Sequence, residues 1–205
     1  MFKNIIFDWS GVINDSVENQ LIVVNRIFEE LDLKPISLIE LKEEWEQPYM
    51  RFYNKYAPHL TLEEEQTAYR RAVAKSPKGK SYPGIVESIK DFKRKGIKIA
   101  VLSSDFPETL LPEIVSFGLQ DIFYDVITNA YDKTESLYEL TKRNNFKLEE
   151  TIFIGDSNHE IEAGKNAGVK TGAVTWGFFT KERLEALKPD FIINNIAELK
   201  SIILQ

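Results

Sequence analysis

Apolar positions fall in two rhythms along this chain, and the change between them divides it. Near the start, Ile5, Ile6 and Phe7 form an unbroken apolar run that ends in Asp8-Trp9-Ser10-Gly11. A run of this kind predicts a strand buried on both faces, which delivers a carboxylate to its end and then turns through glycine. From Val17 the spacing lengthens, and Val17, Leu21, Val24, Phe28 and Leu31 recur at four and three residues, one face of an amphipathic helix. Ser37 followed by Glu40, and Thr61 followed by Glu64, each predict a capping box opening another helix. Residues 15–81 are therefore expected to form a helical block. It carries Trp45, Tyr49, Phe52, Tyr53, Tyr56 and Tyr69, and it closes in the polar stretch from Lys75 to Ser81, which reads as a linker.

Beyond Pro83 strand and helix patterns alternate. A helix ending at Gly96 leads to a strand over 97–102, a helix ending near Gly118 to a strand over 124–128, and a helix from Thr134 to a strand ending at Asp156. A helix ending at Gly168, a strand over 170–175, a short strand over 190–193 and a terminal helix complete the pattern. Such alternation predicts an α/β fold, a doubly wound, Rossmann-like parallel sheet with right-handed crossovers. The first strand must rejoin that sheet. The expected organisation is a core from residues 1–14 and 82–205 with a small all-helical domain, 15–81, inserted into it.

Composition narrows the functions. With 205 residues, 43% of them hydrophobic, the chain can bury a substantial core. A net charge of -6 with no long basic block argues against nucleic acid as a partner and leaves small anions to local fields. The absence of cysteine excludes disulfides, thiolate catalysis and cysteine-ligated zinc. His59 and His159 are the only histidines, so zinc is not expected, and His159 reads as a helix-start or surface residue. The segment before the first strand has no signal-peptide core, and no apolar stretch is long enough to span a bilayer. A cytoplasmic protein without membrane partners, monomeric or homodimeric, is the expectation.

Candidate chemistry gathers at the strand ends, where open parallel sheets bind ligands. Asp8 and Asp156 at neighbouring strand tips would form a concentrated negative site that calls for a cation between them. Ser103, ending the run Ile99 to Leu102 with Ser104 beside it, can offer a hydroxyl and a backbone amide to a phosphoryl oxygen. Lys133 can neutralise the same group.

Taken in this order, with Tyr82-Pro83-Gly84, Gly155-Asp156-Ser157 and Val174-Thr175-Trp176-Gly177, these residues resemble the haloacid dehalogenase-like hydrolases, in particular phosphoglycolate-phosphatase-like members with a helical cap. The resemblance implies that Asp8 is a nucleophile, that Ser103, with Ser104 and Gly11, binds phosphate, and that Lys133 neutralises charge. It also implies a Mg2+ site formed by Asp8, Asp156, the backbone carbonyl of Ser10, and Glu160. Two residues depart from the family pattern. Ser10 stands where a second aspartate normally serves as general acid and base, a loss that typically costs about 10^2- to 10^4-fold in rate, and Glu160 stands where aspartate is common. The segment Glu46 to Phe52 corresponds to the cap loop that meets the leaving group, with Arg51 a candidate for an anionic substrate. The cap aromatics read as packing, and Arg70, Arg71, Lys75, Lys78 and Lys80 as a solvated face. The expected function is a Mg2+-dependent phosphatase of a small phosphorylated metabolite. The alternatives are a phosphonatase-like hydrolase using a cap lysine such as Lys42 or Lys55, and a catalytically weak binder of a phosphorylated ligand.

Overall fold

In the computed structural model, which describes residues 2–205, the chain opens with β1 (Asn4–Phe7), buried along its whole length. A turn leads to β2 (Asn14–Asp15) and then to a helical block of α1 (Val17–Glu30), α2 (Leu38–Glu44), α3 (Met50–Tyr56) and α4 (Leu62–Val73). β3 (Lys80–Ser81) follows and pairs antiparallel with β2. The rest alternates through α5 (Ile85–Arg94), β4 (Lys98–Leu102), α6 (Pro107–Ser116), β5 (Asp125–Ile127) and α7 (Lys133–Arg143). It continues with β6 (Thr151–Gly155), α8 (Asn158–Ala167), β7 (Lys170–Val174), α9 (Lys181–Ala186), β8 (Phe191–Ile193) and α10 (Ile196–Leu204).

Six strands form one parallel sheet in the order β5-β4-β1-β6-β7-β8. β1 lies at its centre, with Phe7 in register with Val101 of β4 on one side and Ile154 of β6 on the other. The strand order departs in opposite directions from β1, so a crevice opens at the carboxyl ends of β1, β4 and β6. Asp8, Ser103 and Asp156 are the residues that follow those ends.

The strand sequences are apolar throughout because both faces are covered. Ile5, Phe7, Ile99 and Val101 point to one side, against Ile85, Ile89 and Phe92 of α5, Leu110 of α6 and Leu199 of α10. Ile6, Ala100, Leu102 and Phe153 point to the other, against Leu137 and Leu140 of α7 and Ala163 and Ala167 of α8. The helical block has its own cluster, in which Val24, Phe28, Leu41, Trp45, Phe52 and Tyr53 join Ile161, Phe178, Phe179 and Leu184 of the sheet region. Trp45 stacks on Phe178 with ring centroids 5.1 Å apart.

Local chemistry moves several expected boundaries. Thr61 and Glu64 form the full capping box of α4, whereas Ser37 caps α2 without reciprocation. The Glu40 carboxylate accepts instead from the Tyr56 hydroxyl at 3.2 Å, so packing of α3 removes half of that motif. The stretch read as a linker ends in β3. α7 starts one residue ahead of Thr134 because the Asp132 carboxylate accepts from the amides of Thr134 and Glu135. The six-residue α9, capped by Thr180, was not anticipated.

Candidate active site

The turn after β1 explains its glycine. The Asp8 amide still donates to the Ile154 carbonyl at 2.9 Å, continuing the sheet by one residue, and the Gly11 amide donates to the Asn14 carbonyl at 2.9 Å. Gly11 has φ +78°, and a β-carbon there would overlap the Asp156 carboxylate and the Phe178 ring. A β-carbon on Gly177 would overlap the same carboxylate. Two glycines thus make room for Asp156, whose Oδ2 accepts from the Phe178 amide at 2.6 Å. The Gly11 amide, engaged in the turn, is not presented to a substrate; what Gly11 contributes is space.

Lys133, at the first position of α7, is buried and reaches two acids. Its Nζ lies 2.9 Å from Asp8 Oδ1 and 2.5 Å from Glu160 Oε1. Glu160 is oriented by a capping box at the start of α8, its Oε2 accepting from the Ser157 amide at 3.1 Å and the Ser157 hydroxyl at 2.7 Å. Burial alone would raise the Glu160 carboxyl, but Lys133 holds it at about 2. Burial opposes the Lys133 charge, yet Asp8 and Glu160 together raise its pKa. Asp8 stands at about 7, pushed up by burial, pulled down by Lys133 and pushed up again by Glu160. Asp156 is raised well above the carboxylate range by burial and by the charges of Glu160 and Asp8. Asp8, Asp156 and Glu160 each offer an oxygen, all within 4.8 Å of one another. Three buried acids against one ammonium leave an excess of negative charge. His159, expected at a helix start or on the surface, starts α8 but is buried. Its Nε2 accepts from the Lys133 amide at 3.3 Å, and burial and Lys133 lower it to about 4, so the ring is neutral.

At Ser10 the structure adds a residue that the sequence reading passed over. The Ser10 hydroxyl donates to Asp105 Oδ2 at 2.8 Å, and the Ser103 hydroxyl donates to the same oxygen at 3.0 Å. Asp105 therefore gathers both serines, and burial raises its carboxyl despite those two bonds. The Ser104 hydroxyl turns aside to the Ala130 carbonyl at 2.8 Å. The strand-end run Ser103-Ser104-Asp105 held a signal for Asp105, since the third residue after a strand can point back over the crevice.

A cavity opens above these groups, lined on the sheet side by Asp8, Ser10, Ser103, Asp105, Lys133 and Asp156 and on the helical side by Trp45, Gln47, Tyr49, Tyr53, Glu65 and Tyr69. Arg51 is not among its lining residues. Its side chain is 59% exposed and pairs with Glu46 at 3.3 Å on the surface.

Comparison with known proteins agrees with this architecture. The family model described as haloacid dehalogenase-like hydrolase matches residues 5–174. The pyrophosphatase PpaX of Halalkalibacterium halodurans is 33% identical over 128 residues, and the match spans 60% of this chain and 59% of that relative. A predicted phosphatase from Clostridium acetobutylicum superposes with a TM-score of 0.86 at 21% identity, covering 100% of this chain and 99% of that one. A predicted phosphoglycolate phosphatase from Haemophilus somnus gives a TM-score of 0.80 at 20% identity, covering 98% and 97%. The two structures establish the shared fold.

Proposed function

The chain belongs to the haloacid dehalogenase-like hydrolase family, and we propose that within it this protein is a Mg2+-dependent phosphatase of a small phosphorylated metabolite, with Asp8 as nucleophile. The observation that carries the proposal is the convergence of Asp8, Lys133, Asp156 and Glu160, brought from separate segments into one buried cluster at the mouth of the cavity. The acids fit Mg2+ on their own chemistry. They are hard oxygen donors, they are close enough to share an ion, and the raised carboxyls of Asp8 and Asp156 report charge that Lys133 alone does not balance. Asp8, Asp156 and the Ser10 carbonyl would hold the ion, with Glu160 reaching it directly or through water. Bound there, Mg2+ would polarise a phosphoryl oxygen and offset its charge.

The protein's own groups then account for two displacements. Lys133 occupies Asp8 Oδ1, which leaves Oδ2 to attack phosphorus in line. As the P–O bond to the leaving group breaks, its electron pair goes to the departing oxygen, which would take the Ser10 hydroxyl proton while Ser10 accepts one from protonated Asp105, the reverse of the resting bond in which Ser10 donates to Asp105. The product is an aspartyl phosphate on Asp8. Water, giving its proton back along the same path, attacks phosphorus and frees Asp8 and phosphate. Asp105 would thereby supply, from the loop after β4, the carboxylate that position 10 lacks. The division into a core (1–14, 82–205) and an inserted cap (15–81) is part of this proposal. The cap would close the cavity over a small substrate.

The phosphonatase alternative has no support in the cavity wall. Lys42 Nζ donates to the Gly177 carbonyl at 2.9 Å, and Lys55 is partly exposed between Glu44 and Glu46. Neither lines the cavity. Among the described residues no helix is long and apolar enough to cross a membrane. Hydrolysis of p-nitrophenyl phosphate, acetyl phosphate and phosphonoacetaldehyde with Mg2+ or with chelator tests the proposal. Expected is Mg2+-dependent cleavage of the first two that disappears in Asp8→Asn. Equal rates in Asp8→Asn would exclude the nucleophile.

A further inference from the structure

The helical side of the cavity has a chemistry of its own. Glu65 of α4 lines the cavity and is 2% exposed, and among the described residues no hydrogen bond or ion pair to its carboxylate acts on its charge, only burial and the field of Arg70. A buried acid in that condition is costly unless something completes it. The nearest cation acting on it is Arg70, and Arg70 is committed elsewhere. Its guanidinium pairs with Glu108 at 3.0 Å and lies 4.1 Å over the Phe106 ring.

A second, independent observation points the same way. The Tyr53 hydroxyl, on a side chain 1% exposed that also lines the cavity, has no hydrogen-bond partner, and neither has Gln47 Oε1. Around them stand the aromatic rings of Trp45, Tyr49 and Tyr69. This half of the cavity offers acceptors and π faces, both of which attract a cation. Among the described residues that line the cavity the one cationic side chain is Lys133, already held by Asp8 and Glu160.

From this arrangement we infer that the leaving group of the substrate carries an ammonium, received by Glu65 and the surrounding tyrosines while the phosphoryl group lies at Asp8. The inference rests on the phosphatase reading for its phosphoryl end and names the substrate class, a phosphorylated amino alcohol. The ammonium would donate to the Glu65 carboxylate, Gln47 Oε1 and the Tyr53 oxygen, satisfying the three groups together. Burial holds the Glu65 carboxyl at about 8, so a cationic ligand also draws off the proton that the empty cavity retains. A leaving group with a second anion meets the opposite situation. A carboxylate or a further phosphate would approach Glu65 with no free cation to receive it, which sets this cavity against both pyrophosphate and phosphoglycolate.

Three two-carbon probes separate the possibilities: O-phosphoethanolamine, ethyl phosphate and 2-phosphoglycolate, alike in the phosphoryl end and differing in an ammonium, a methyl or a carboxylate. Calorimetric binding to the Mg2+-loaded Asp8→Asn protein, which holds ligand without turnover, should rank them in that order. The expected advantage of the first over the second is about tenfold or more, the scale of one desolvated charge contact. Adding Glu65→Gln, an isosteric change whose folding is checked by its melting curve, should reduce that advantage to about threefold or less. Phosphoglycolate binding as tightly as phosphoethanolamine, a preference that survives Glu65→Gln, or no binding of any probe would each overturn the inference. Turnover of p-nitrophenyl phosphate by the unmodified chain reports separately on the parent reading. Asp8-dependent turnover without an ammonium preference defeats the inference alone, and an ammonium preference without turnover of any ester defeats the phosphatase reading alone.

Discussion

At position 10 a hydroxyl occupies the place where the proposed mechanism calls for an acid-base carboxylate, and Asp105 meets that hydroxyl at 2.8 Å. Serine cannot ionise near neutral pH, so under the proposed mechanism its use is as a conduit: it accepts from the protonated Asp105 carboxyl on one side and turns its single O–H to the departing oxygen on the other. The need for such a proton depends on the leaving group. An alkoxide departs poorly without one, while a phenolate stabilised by a nitro group departs readily. Asp105→Asn should therefore lower kcat/KM for alkyl phosphates by about 10^2-fold and for p-nitrophenyl phosphate by about tenfold or less. The quotient is the right measure because it reports only the steps up to departure. Ser10→Asp alone places two carboxylates at one hydrogen-bond position, where each raises the pKa of the other, and should gain little. Ser10→Asp together with Asp105→Asn removes that conflict and should recover more than half of the lost free energy. Equal losses for alkyl and aryl esters in Asp105→Asn would show that Asp105 positions the serines and does not move a proton.

α4 shows what an element contributes once it is docked. Its sequence makes it a helix on local grounds alone, with the Thr61 and Glu64 box at its start, but docking buries Glu65 and holds its carboxyl at about 8 against 4.5 unperturbed. Below about pH 4.5 the group is protonated in folded and unfolded chains alike, and its contribution to stability is fully present. As pH rises towards 8 the unfolded chain gives up this proton and the folded chain keeps it, so stability falls through that window. Glu113, raised to about 7 by burial, acts in the same direction. His159, held at about 4, acts oppositely, its contribution present above 6.5 and lost as pH falls towards 4. In Glu65→Gln the first effect disappears. The variant should melt with the wild type near pH 4.5 and above it at pH 8, by an amount on the order of a few kcal/mol; a constant offset across that range would mean that Glu65 is paired in solution. This helix also marks the limit of reading the chain by pattern. Strand ends were legible because a parallel sheet sends every carboxyl end to one edge, which places Asp8, Ser103 and Asp156 together from apolar runs alone. Glu65 was not, since its meaning depends on a partner that is absent, and Asp105, although it stands in a strand-end run, gains its meaning only from Ser10, 95 positions away. Arg51 lies outside the cavity lining for a related reason: its neighbour Glu46 pairs with it on the surface.

Across the whole molecule, the helical block is fastened to the loops that build the site. Arg183, at the start of α9, donates to the carbonyls of Lys42 and Trp45 at 2.6 and 2.7 Å. These are carbonyls at the carboxyl end of α2, where a cation is favourable, and the guanidinium also lies 3.5 Å over the Phe179 ring. Lys42 in turn reaches the Gly177 carbonyl. Asn158 exchanges hydrogen bonds with the Gln47 backbone at 3.3 and 3.0 Å. Gly177, Phe178 and Asn158 belong to the segments that hold Asp156 and Glu160, so the seating of the block and the geometry of the acids are mechanically joined. Any lifting of the block to admit substrate or release product would break both bonds of Arg183. Replacing it by methionine keeps an apolar stem on Phe179 and removes both charge-assisted bonds, worth about 1.5–3 kcal/mol each at most. The open state then gains population, and binding, which needs the closed one, weakens by that fraction. Arg183→Met should raise KM for small phosphate esters by about tenfold, the equivalent of ~1.4 kcal/mol, while kcat changes by less than about threefold because the acids remain in place once closure occurs. Steady-state kinetics beside the fluorescence of Trp45, which loses its stacking on Phe178 when the block lifts, would measure both consequences. A collapse of kcat at unchanged KM would place the effect of Arg183 in the geometry of Asp156 and not in closure.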